Sequence, residues 1–131
     1  MAKVTGSVDD LGRPVVRVEV PGHDGFLAVI DTGFNRSLML LAAEAAAMGF
    51  ALREETETVE LGTTARVEVR SGVGTIHWLG RERRIVALIS NEPPANLQPD
   101  VARALIGTEL LSDSLLLVDF VDRIAEIETR D

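Results

Sequence analysis

A lone acidic triplet, Asp31-Thr32-Gly33, directly follows the apolar run Phe26–Ile30. Five consecutive apolar residues predict a strand buried on both faces. The carboxylate after it then lies at the rim of a low-dielectric region, which is costly unless the group is neutral, paired or hydrogen-bonded. Thr32 adds a hydroxyl that can hold the turn, and Gly33 admits a close backbone neighbour. The triplet predicts a fixed carboxylate suited to acid–base chemistry; ordinary turn chemistry is the structural alternative.

The composition fits a single domain spanning residues 1–131. Of these, 46% are hydrophobic and 26% charged, which is typical of a folded domain with its own core. The absence of cysteine excludes disulfides, thiol nucleophiles and thiolate metal sites, and favours a cytoplasmic setting. The net charge of −8 argues against nucleic-acid binding. No apolar run approaches the length of a membrane span, and we expect neither a cofactor nor a metal.

The segments on either side of the triplet predict the elements that position it. Alternating valines in residues 14–20 predict a half-buried strand, and a glycine-containing turn returns the chain antiparallel into Phe26–Ile30. Leu38–Leu41 then leads into residues 42–48, an alanine-rich helix former with Gly49 as its stop. The triplet is therefore expected at the end of a hairpin, ahead of a short helix.

A second hairpin is predicted farther along the chain. Residues 53–60 are polar, the tip Leu61-Gly62-Thr63-Thr64 is small and flexible, and residues 65–70 alternate cleanly, which predicts a projecting β-hairpin. Ser71-Gly72 is expected to turn the chain. Another strand pair, residues 73–79 with 84–89, should follow.

The last third of the chain repeats the plan of strand, glycine turn and short helix around Leu105-Ile106-Gly107. Before it, residues 91–99 contain three prolines and should form a surface loop. After it, residues 115–120 read as a buried strand and residues 124–128 as a final short one.

Together these motifs resemble a known family. Their order is Asp31-Thr32-Gly33, a glycine-tipped hairpin, Leu105-Ile106-Gly107-x-x-Leu110-Leu111, and an apolar strand ending in Asp119-Phe120. This order resembles the single-domain, retroviral-type (retropepsin-like) aspartic proteases, and Val29-Ile30-Asp31-Thr32-Gly33-Phe34-Asn35 is similar to their small prokaryotic relatives. The resemblance implies a mainly β fold, a closed acid-protease-like barrel with one or two short helices.

The resemblance also implies an activity, that of a homodimeric aspartic endopeptidase acting on peptide or polypeptide substrates. Such chemistry needs two carboxylates that share one proton. The sequence contains one such triplet, so a symmetric dimer would place Asp31 opposite its own copy. By resemblance, Thr32 hydroxyls cross-link the two active-site loops, and Gly33 offers its backbone to the substrate.

Further site residues follow from the same resemblance. The tip Leu61-Gly62-Thr63-Thr64 is the candidate flap, Phe34 and Asn35 border the substrate, and Leu105-Ile106-Gly107 packs behind the catalytic loop. The retroviral enzymes pair an acid after the triplet with an arginine after the second glycine. This chain has Asn35 and Thr108 at those places, so its dimer rim must be held otherwise.

A second interpretation is a non-catalytic dimerisation or peptide-binding module that keeps the acid-protease fold. Peptide binding by strand addition would need only the groove and the flap. The sequence names neither the substrate nor the terminal segments that form the dimer interface.

Phe34 predicts the pH dependence of the activity. Pepsin-like enzymes place a serine or threonine hydroxyl after the triplet, where it can donate a hydrogen bond to the ionised dyad and lower its pKa. Phe34 has no such donor, so we expect cleavage to peak nearer neutral pH than in pepsin-like enzymes. A pH–rate profile checks this, and an optimum at about pH 2 to 3, between pepsin's dyad values of about 1.5 and 4.7, would contradict it.

Overall fold

The computed structural model describes residues 2–61, 65–91 and 104–130. Within them the chain forms ten strands and two short helices. In chain order these are β1 (Lys3–Val8), β2 (Pro14–Val18), β3 (Phe26–Ile30), β4 (Leu38–Leu41), α1 (Ala42–Ala47), β5 (Ala51–Leu61), β6 (Ala65–Trp78), β7 (Arg81–Ser90), β8 (Ala104–Ile106), α2 (Thr108–Leu111), β9 (Ser114–Asp119) and β10 (Ile124–Thr129). No helix of the described residues is long and apolar enough to cross a membrane.

All ten strands belong to one hydrogen-bonded sheet, in the order β5-β6-β7-β4-β8-β3-β2-β1-β10-β9. Neighbouring strands are antiparallel except for two parallel pairs, β3 with β8 and β4 with β7. Among the described residues the outer strands β5 and β9 each have a strand neighbour on one side only. The prediction of a mainly β fold is confirmed, whereas closure of the sheet into a barrel is not.

The hairpin that delivers Asp31 forms as the valine alternation predicts. β2 pairs antiparallel with β3, with Val16 opposite Ala28 and Val18 opposite Phe26, and all four side chains are buried. Because β3 lies between β2 and β8, both of its backbone edges are paired. The carboxylate of Asp31 therefore emerges from the end of an interior strand.

The helix after the triplet is also confirmed. α1 follows β4 directly and ends before Gly49, whose φ of +77° is the left-handed conformation that favours glycine at a helix end. The amide of Phe50 then donates to the carbonyl oxygen of Ala45 at 3.0 Å. This hydrogen bond satisfies a carbonyl group in the last turn of the helix.

Buried side chains form two clusters on opposite faces of the sheet. On one face, residues that pair across five adjacent strands lie side by side, in the order Val15, Val29, Leu105, Met39 and Leu88. Phe34 and Val69 complete this smaller cluster. The larger cluster covers the other face and contains Trp78, with Ala45 of α1 and Leu110 of α2.

The expected turn at Ser71-Gly72 is wrong. Both residues lie inside β6, where they pair with Leu88 and Ala87 of β7. A Cβ on Gly72 would lie 2.9 Å from Cγ1 of Ile89, so glycine here serves the close approach of a neighbouring strand. The chain reverses instead at Leu79 and Gly80, with φ of 50° and 82°, as a tight two-residue hairpin requires.

The expected burial of residues 115–120 is also wrong. β9 is the last strand of the sheet, and Leu115, Leu117 and Phe120 are exposed. The final short strand is confirmed as β10. From residue 92 onward, the predicted proline-containing loop lies outside the described residues.

Candidate active site

Asp31 is held at the end of β3 through both its backbone and its side chain. Its amide donates to the carbonyl oxygen of Ile106 at 2.9 Å, which extends the pairing of β3 with β8 by one residue. Its carboxylate oxygen Oδ1 accepts the Gly33 amide at 2.9 Å, and its carbonyl oxygen accepts the Phe34 amide at 3.1 Å. The triplet is thus a tight turn with Asp31 partly buried and Thr32 and Gly33 exposed.

A depression of about 270 Å³ opens beside Asp31. One wall is the turn between β1 and β2, and the other is built by β3 and β8. The lining residues are Gly12, Arg13, Pro14, Val29, Ile30, Asp31, Thr32 and Leu105. The carboxylate therefore borders a surface that is partly apolar, and Arg13 lies in the opposite wall.

Asp9 fixes the wall that contains Arg13. Its Oδ1 accepts the amides of Leu11 at 3.0 Å and Arg13 at 2.9 Å, and its Oδ2 accepts Nε of Arg13 at 2.9 Å. Burial alone would raise the pKa of Asp9, but the hydrogen bonds from Arg13 and Leu11 and the positive charge of Arg13 outweigh it. The pKa of Asp9 therefore lies below its ordinary value, and the ion pair holds the turn in one conformation.

Gly107 packs against the backbone of the loop that follows the triplet. A Cβ at this position would lie 2.0 Å from the carbonyl oxygen of Arg36 and 2.5 Å from that of Phe34. The Gly107 amide donates to the Ser37 carbonyl oxygen at 3.0 Å, and the Thr108 amide donates to that of Phe34 at 2.8 Å. Gly107 therefore lies against the loop that follows the triplet, and a role for Leu105-Ile106-Gly107 behind a catalytic loop stays a prediction.

A side-chain hydrogen bond ties the same loop to α2. The buried hydroxyl of Ser37 donates to Oε1 of Glu109 at 2.9 Å. The sequence lacks the acid–arginine pair of the retroviral enzymes, and Ser37 with Glu109 links the same two segments of this chain. This hydrogen bond holds the loop against α2.

The structure does not place Phe34 at the surface beside Asp31. Its ring is buried in the smaller cluster, and it is not one of the residues that line the depression. The ring lies against Gly107, with its Cδ2 2.8 Å from the Gly107 Cβ position, and a substrate contact at Phe34 stays a prediction. Asn35 is exposed, so a substrate contact at that position stays a prediction.

The middle of the second hairpin reaches the loop that follows the triplet. Nη2 of Arg36 lies 3.2 Å from Oε2 and 3.3 Å from Oε1 of Glu57 in β5. β5 ends at Leu61, which pairs with Ala65 at the start of β6. The other flap residues, Gly62, Thr63 and Thr64, lie outside the described residues.

Comparison with known proteins finds similarity to a solved structure. No protein-family model matches the sequence, and no curated protein matches it. The structure is similar to that of the EIAV protease complexed with the inhibitor HBY-793, with a TM-score of 0.59 and 24% sequence identity over 77% of this chain and 86% of that chain. The chain has a retropepsin-like fold. At this level of identity the similarity shows the fold.

Several residues that shape the site within this retropepsin-like fold were not predicted from sequence. They are Asp9, Arg13, Arg36, Ser37, Glu57 and Glu109. An aspartate followed three residues later by glycine is a turn signal, so the turn starting at Asp9 was recognisable. The other contacts join residues 21 and 72 positions apart, and no local pattern marks them. No group of three or more metal-ligating side chains occurs in the described part of the chain.

Gly107→Ala tests the contact of Gly107 with the loop that follows the triplet. Because the new methyl group would meet backbone carbonyl oxygens, which cannot rotate away, we expect the free energy of unfolding to fall by at least about 2 to 3 kcal/mol. Gly22→Ala is the control, since its φ is +78° and nothing lies within 4 Å of its Cβ position; it should lose only about 1 kcal/mol of conformational strain. If urea unfolding gave the same loss of unfolding free energy for both variants, the close contact of Gly107 with the loop would not be the cause.

Asp9→Asn tests the ion pair in the wall of the depression. At neutral pH we expect the variant to lose about 1 to 2 kcal/mol of unfolding free energy, because Arg13 loses its charged partner. The pKa of Asp9 is lowered in the folded state, so its contribution is complete above the unfolded value of about 3.9 and disappears as pH falls through the folded value. Urea unfolding at successive pH values should show that the difference in unfolding free energy between the parent protein and Asp9→Asn disappears below about pH 4.

Asp10→Asn is the matched control for that experiment. The Asp10 side chain is 98% exposed and pairs with Arg123 at 2.9 Å. Because an exposed ion pair contributes little, its replacement should change the unfolding free energy by less than about 1 kcal/mol. If the unfolding free energies of Asp9→Asn and the parent protein differed by the same amount in strong acid as at neutral pH, the Asp9 ion pair would not be the cause of the difference.

Proposed function

We propose that this chain is a homodimeric aspartic endopeptidase whose active site contains Asp31 from each of two copies. The supporting observation is a carboxylate fixed by backbone hydrogen bonds at the end of a buried strand, in a retropepsin-like fold. The proposal treats residues 1–131 as one catalytic domain that acts in the cytoplasm on polypeptides. The relative with a solved structure carries the inhibitor HBY-793, which is consistent with a groove that binds ligands.

The proposed reaction is general acid–base hydrolysis of a peptide bond. Two carboxylates about 3 Å apart cannot both ionise, so they share one proton, as aspartic proteases are known to do. The ionised Asp31 takes a proton from a water molecule while that water attacks the scissile carbonyl carbon. The protonated Asp31 of the other copy donates its proton to the carbonyl oxygen, which gives a tetrahedral diol. The carboxyl group that took the water's proton then donates it to the amide nitrogen as the C–N bond breaks, and the other Asp31 takes a proton back from a hydroxyl of the diol, so that the dyad again holds one proton. No covalent intermediate with the protein forms.

The surrounding residues have positioning roles in this proposal. The hydrogen bond from the Gly33 amide orients one carboxylate oxygen, which leaves the other to face the water and the second Asp31. Thr32 is exposed next to it and is suited to a contact with the other copy's loop. The hairpin of β5 and β6 would cover an extended peptide and exclude water, and Arg36 with Glu57 would tie the middle of β5 to the loop after the triplet.

Asp31→Asn tests this proposal. If Asp31 supplies the acid and the base, the rate of cleavage of an unfolded polypeptide should fall by about 10²–10⁴-fold, because a neutral amide cannot exchange the proton. Asp24→Asn, which changes an exposed turn acid, should keep the parent rate. Circular dichroism and sedimentation should show that both variants remain folded and keep the parent's oligomeric state.

The same experiment separates the two interpretations of the fold. Cleavage that survives Asp31→Asn would exclude the endopeptidase proposal. A parent dimer that binds unfolded polypeptide without cleaving it would support the non-catalytic peptide-binding module.

A further inference from the structure

β9 is an outer strand whose free side is open in the described part of the chain. In the sheet order it follows β10, and no strand of the described residues lies beyond it. Apart from the ladder that joins β9 to β10, no backbone hydrogen bond of the described residues involves Leu115–Val118. Every second residue of this stretch therefore directs its amide and carbonyl groups away from β10. Such a row of groups is a template for the addition of another strand.

The other outer strand, β5, has features that discourage the addition of a strand. It carries charged residues along its length, and its pairing with β6 is irregular between Leu52 and Thr56. Charges and irregular pairing both protect an exposed edge. β9 has no charged residue from Ser114 to Val118, and its pairing with β10 runs without interruption. Of the two outer strands, β9 is therefore the one suited to bind another chain.

Both faces of β9 present apolar side chains to an added strand. Leu116 and Val118 are half-buried on one face, where Leu116 packs against the larger cluster and pairs with the buried Ile127 of β10. Leu115 and Leu117 lie on the opposite face and are 41% and 48% exposed. An added strand would bury part of this apolar area on each face, which is favourable.

Acidic side chains lie on the same face as the two exposed leucines. Asp119 is the last residue of β9 on that face, and Glu126 and Glu128 pair opposite the leucines in β10. Lys3 of β1 forms an ion pair with Glu126 at 3.5 Å. Residues 113–131 contain six acidic residues and two arginines, so this segment carries half of the net charge of −8. The charge of this face favours a positively charged partner.

We propose that β9 binds, as an added strand, an extended segment of a different protein in which apolar residues alternate with lysine or arginine. Successive side chains of a strand point to opposite faces, so the apolar residues would pack on Leu116 and Val118. The cationic side chains would cover Leu115 and Leu117 with their methylene groups and reach the carboxylate of Asp119. Backbone hydrogen bonds to β9 would hold the segment, and the charges would select it.

A second copy of this chain suits β9 less well than a basic segment does. An aspartate stands at each end of the strand, Asp113 just before it and Asp119 as its last residue. In an antiparallel pair of two β9 strands centred on Leu116, Asp113 of each copy would lie opposite Asp119 of the other. Like charges directly opposite each other are destabilising, whereas lysine or arginine at the same places would be attracted.

A short synthetic peptide in which lysine and valine alternate tests this proposal. Calorimetry should show that it binds the parent protein and that added salt raises its dissociation constant, because salt screens the attraction between lysine and the carboxylates. A peptide of the same length in which glutamate and valine alternate is the control, and it should not bind.

Hydrogen exchange locates the bound peptide. When the lysine–valine peptide is present, those amides of Leu115–Val118 that point away from β10 should exchange more slowly by about tenfold or more, because the added strand accepts their hydrogen bonds. The amides of β5 should exchange at the same rate with and without the peptide.

Leu117→Lys and Leu52→Lys form a matched pair of variants. Both leucines are 48% exposed, and they lie on the two opposite outer strands. Leu117→Lys should raise the dissociation constant of the lysine–valine peptide by about tenfold or more, because it places a positive charge in the docking face. Leu52→Lys should leave the constant unchanged.

Asp119→Asn isolates the contribution of charge. The asparagine keeps a side-chain oxygen that can accept the amides of Val121 and Asp122, as Asp119 does at 2.9 and 3.0 Å. Loss of the charge should raise the dissociation constant of the lysine–valine peptide by about two- to fivefold. Glu55→Gln, which removes an exposed acid of β5, is the control and should leave the constant unchanged.

The docking site and the proposed function can fail separately, because β2, β1 and β10 lie between β9 and the strand β3 that leads to Asp31. Equal binding of the two peptides, unchanged exchange of the β9 amides, or equal effects of Leu117→Lys and Leu52→Lys overturns the docking site. A parent dimer that the lysine–valine peptide dissociates would show that β9 pairs with a second copy, which also overturns it. A parent chain that binds the peptide but cleaves no unfolded polypeptide keeps the docking site and loses the endopeptidase proposal.

Discussion

The close approach of Gly107 to the loop after the triplet is the constraint on which the rest of the site depends. A Cβ atom at position 107 would lie only 2.0 Å from the carbonyl oxygen of Arg36, so no residue with a side chain fits there. That approach lets the amides of Gly107 and Thr108 satisfy two carbonyl groups of the loop, which would otherwise be costly to bury. A segment about seventy residues away in sequence thereby fixes the loop. The hydrogen bond from the Phe34 amide to the Asp31 carbonyl oxygen connects Asp31 to this fixed loop.

The parts of the fold that sequence predicted are those with a strong local signal. The valine alternation of β2, the apolar run of β3 and the alanines of α1 before Gly49 each specify their own conformation. Predictions failed where the partner strand, not the segment, decides the outcome. Gly72 is typical of a turn, but here it leaves space for the side chain of Ile89 on the neighbouring strand. The apolar sequence of β9 predicts burial, but β9 is the last strand of the sheet.

The same distinction applies to the site. Asp31, Thr32, Gly33 and Gly107 are recognisable because their motifs are short and contiguous. The pairs that hold them, such as Ser37 with Glu109, were not recognisable, because the sequence contains 21 acidic residues and only the folded chain selects which of them meets which partner. Phe34, predicted from sequence to border the substrate, is buried in the smaller cluster, and its substrate contact stays a prediction.

Parallel pairing of β3 with β8 explains why one chain has one such carboxylate. Ile30 pairs with Ile106, so the next residue of each strand, Asp31 and Gly107, occupies the corresponding position. The close contacts of Gly107 leave no space there for any side chain, and a second acid at that position would displace the loop that holds the first. The sequence therefore repeats the strand and the glycine turn around Gly107, but it has no acid at the position that corresponds to Asp31. In the proposed two-carboxylate reaction the second carboxylate therefore does not come from position 107, and a two-fold copy would supply one with the same rigid support.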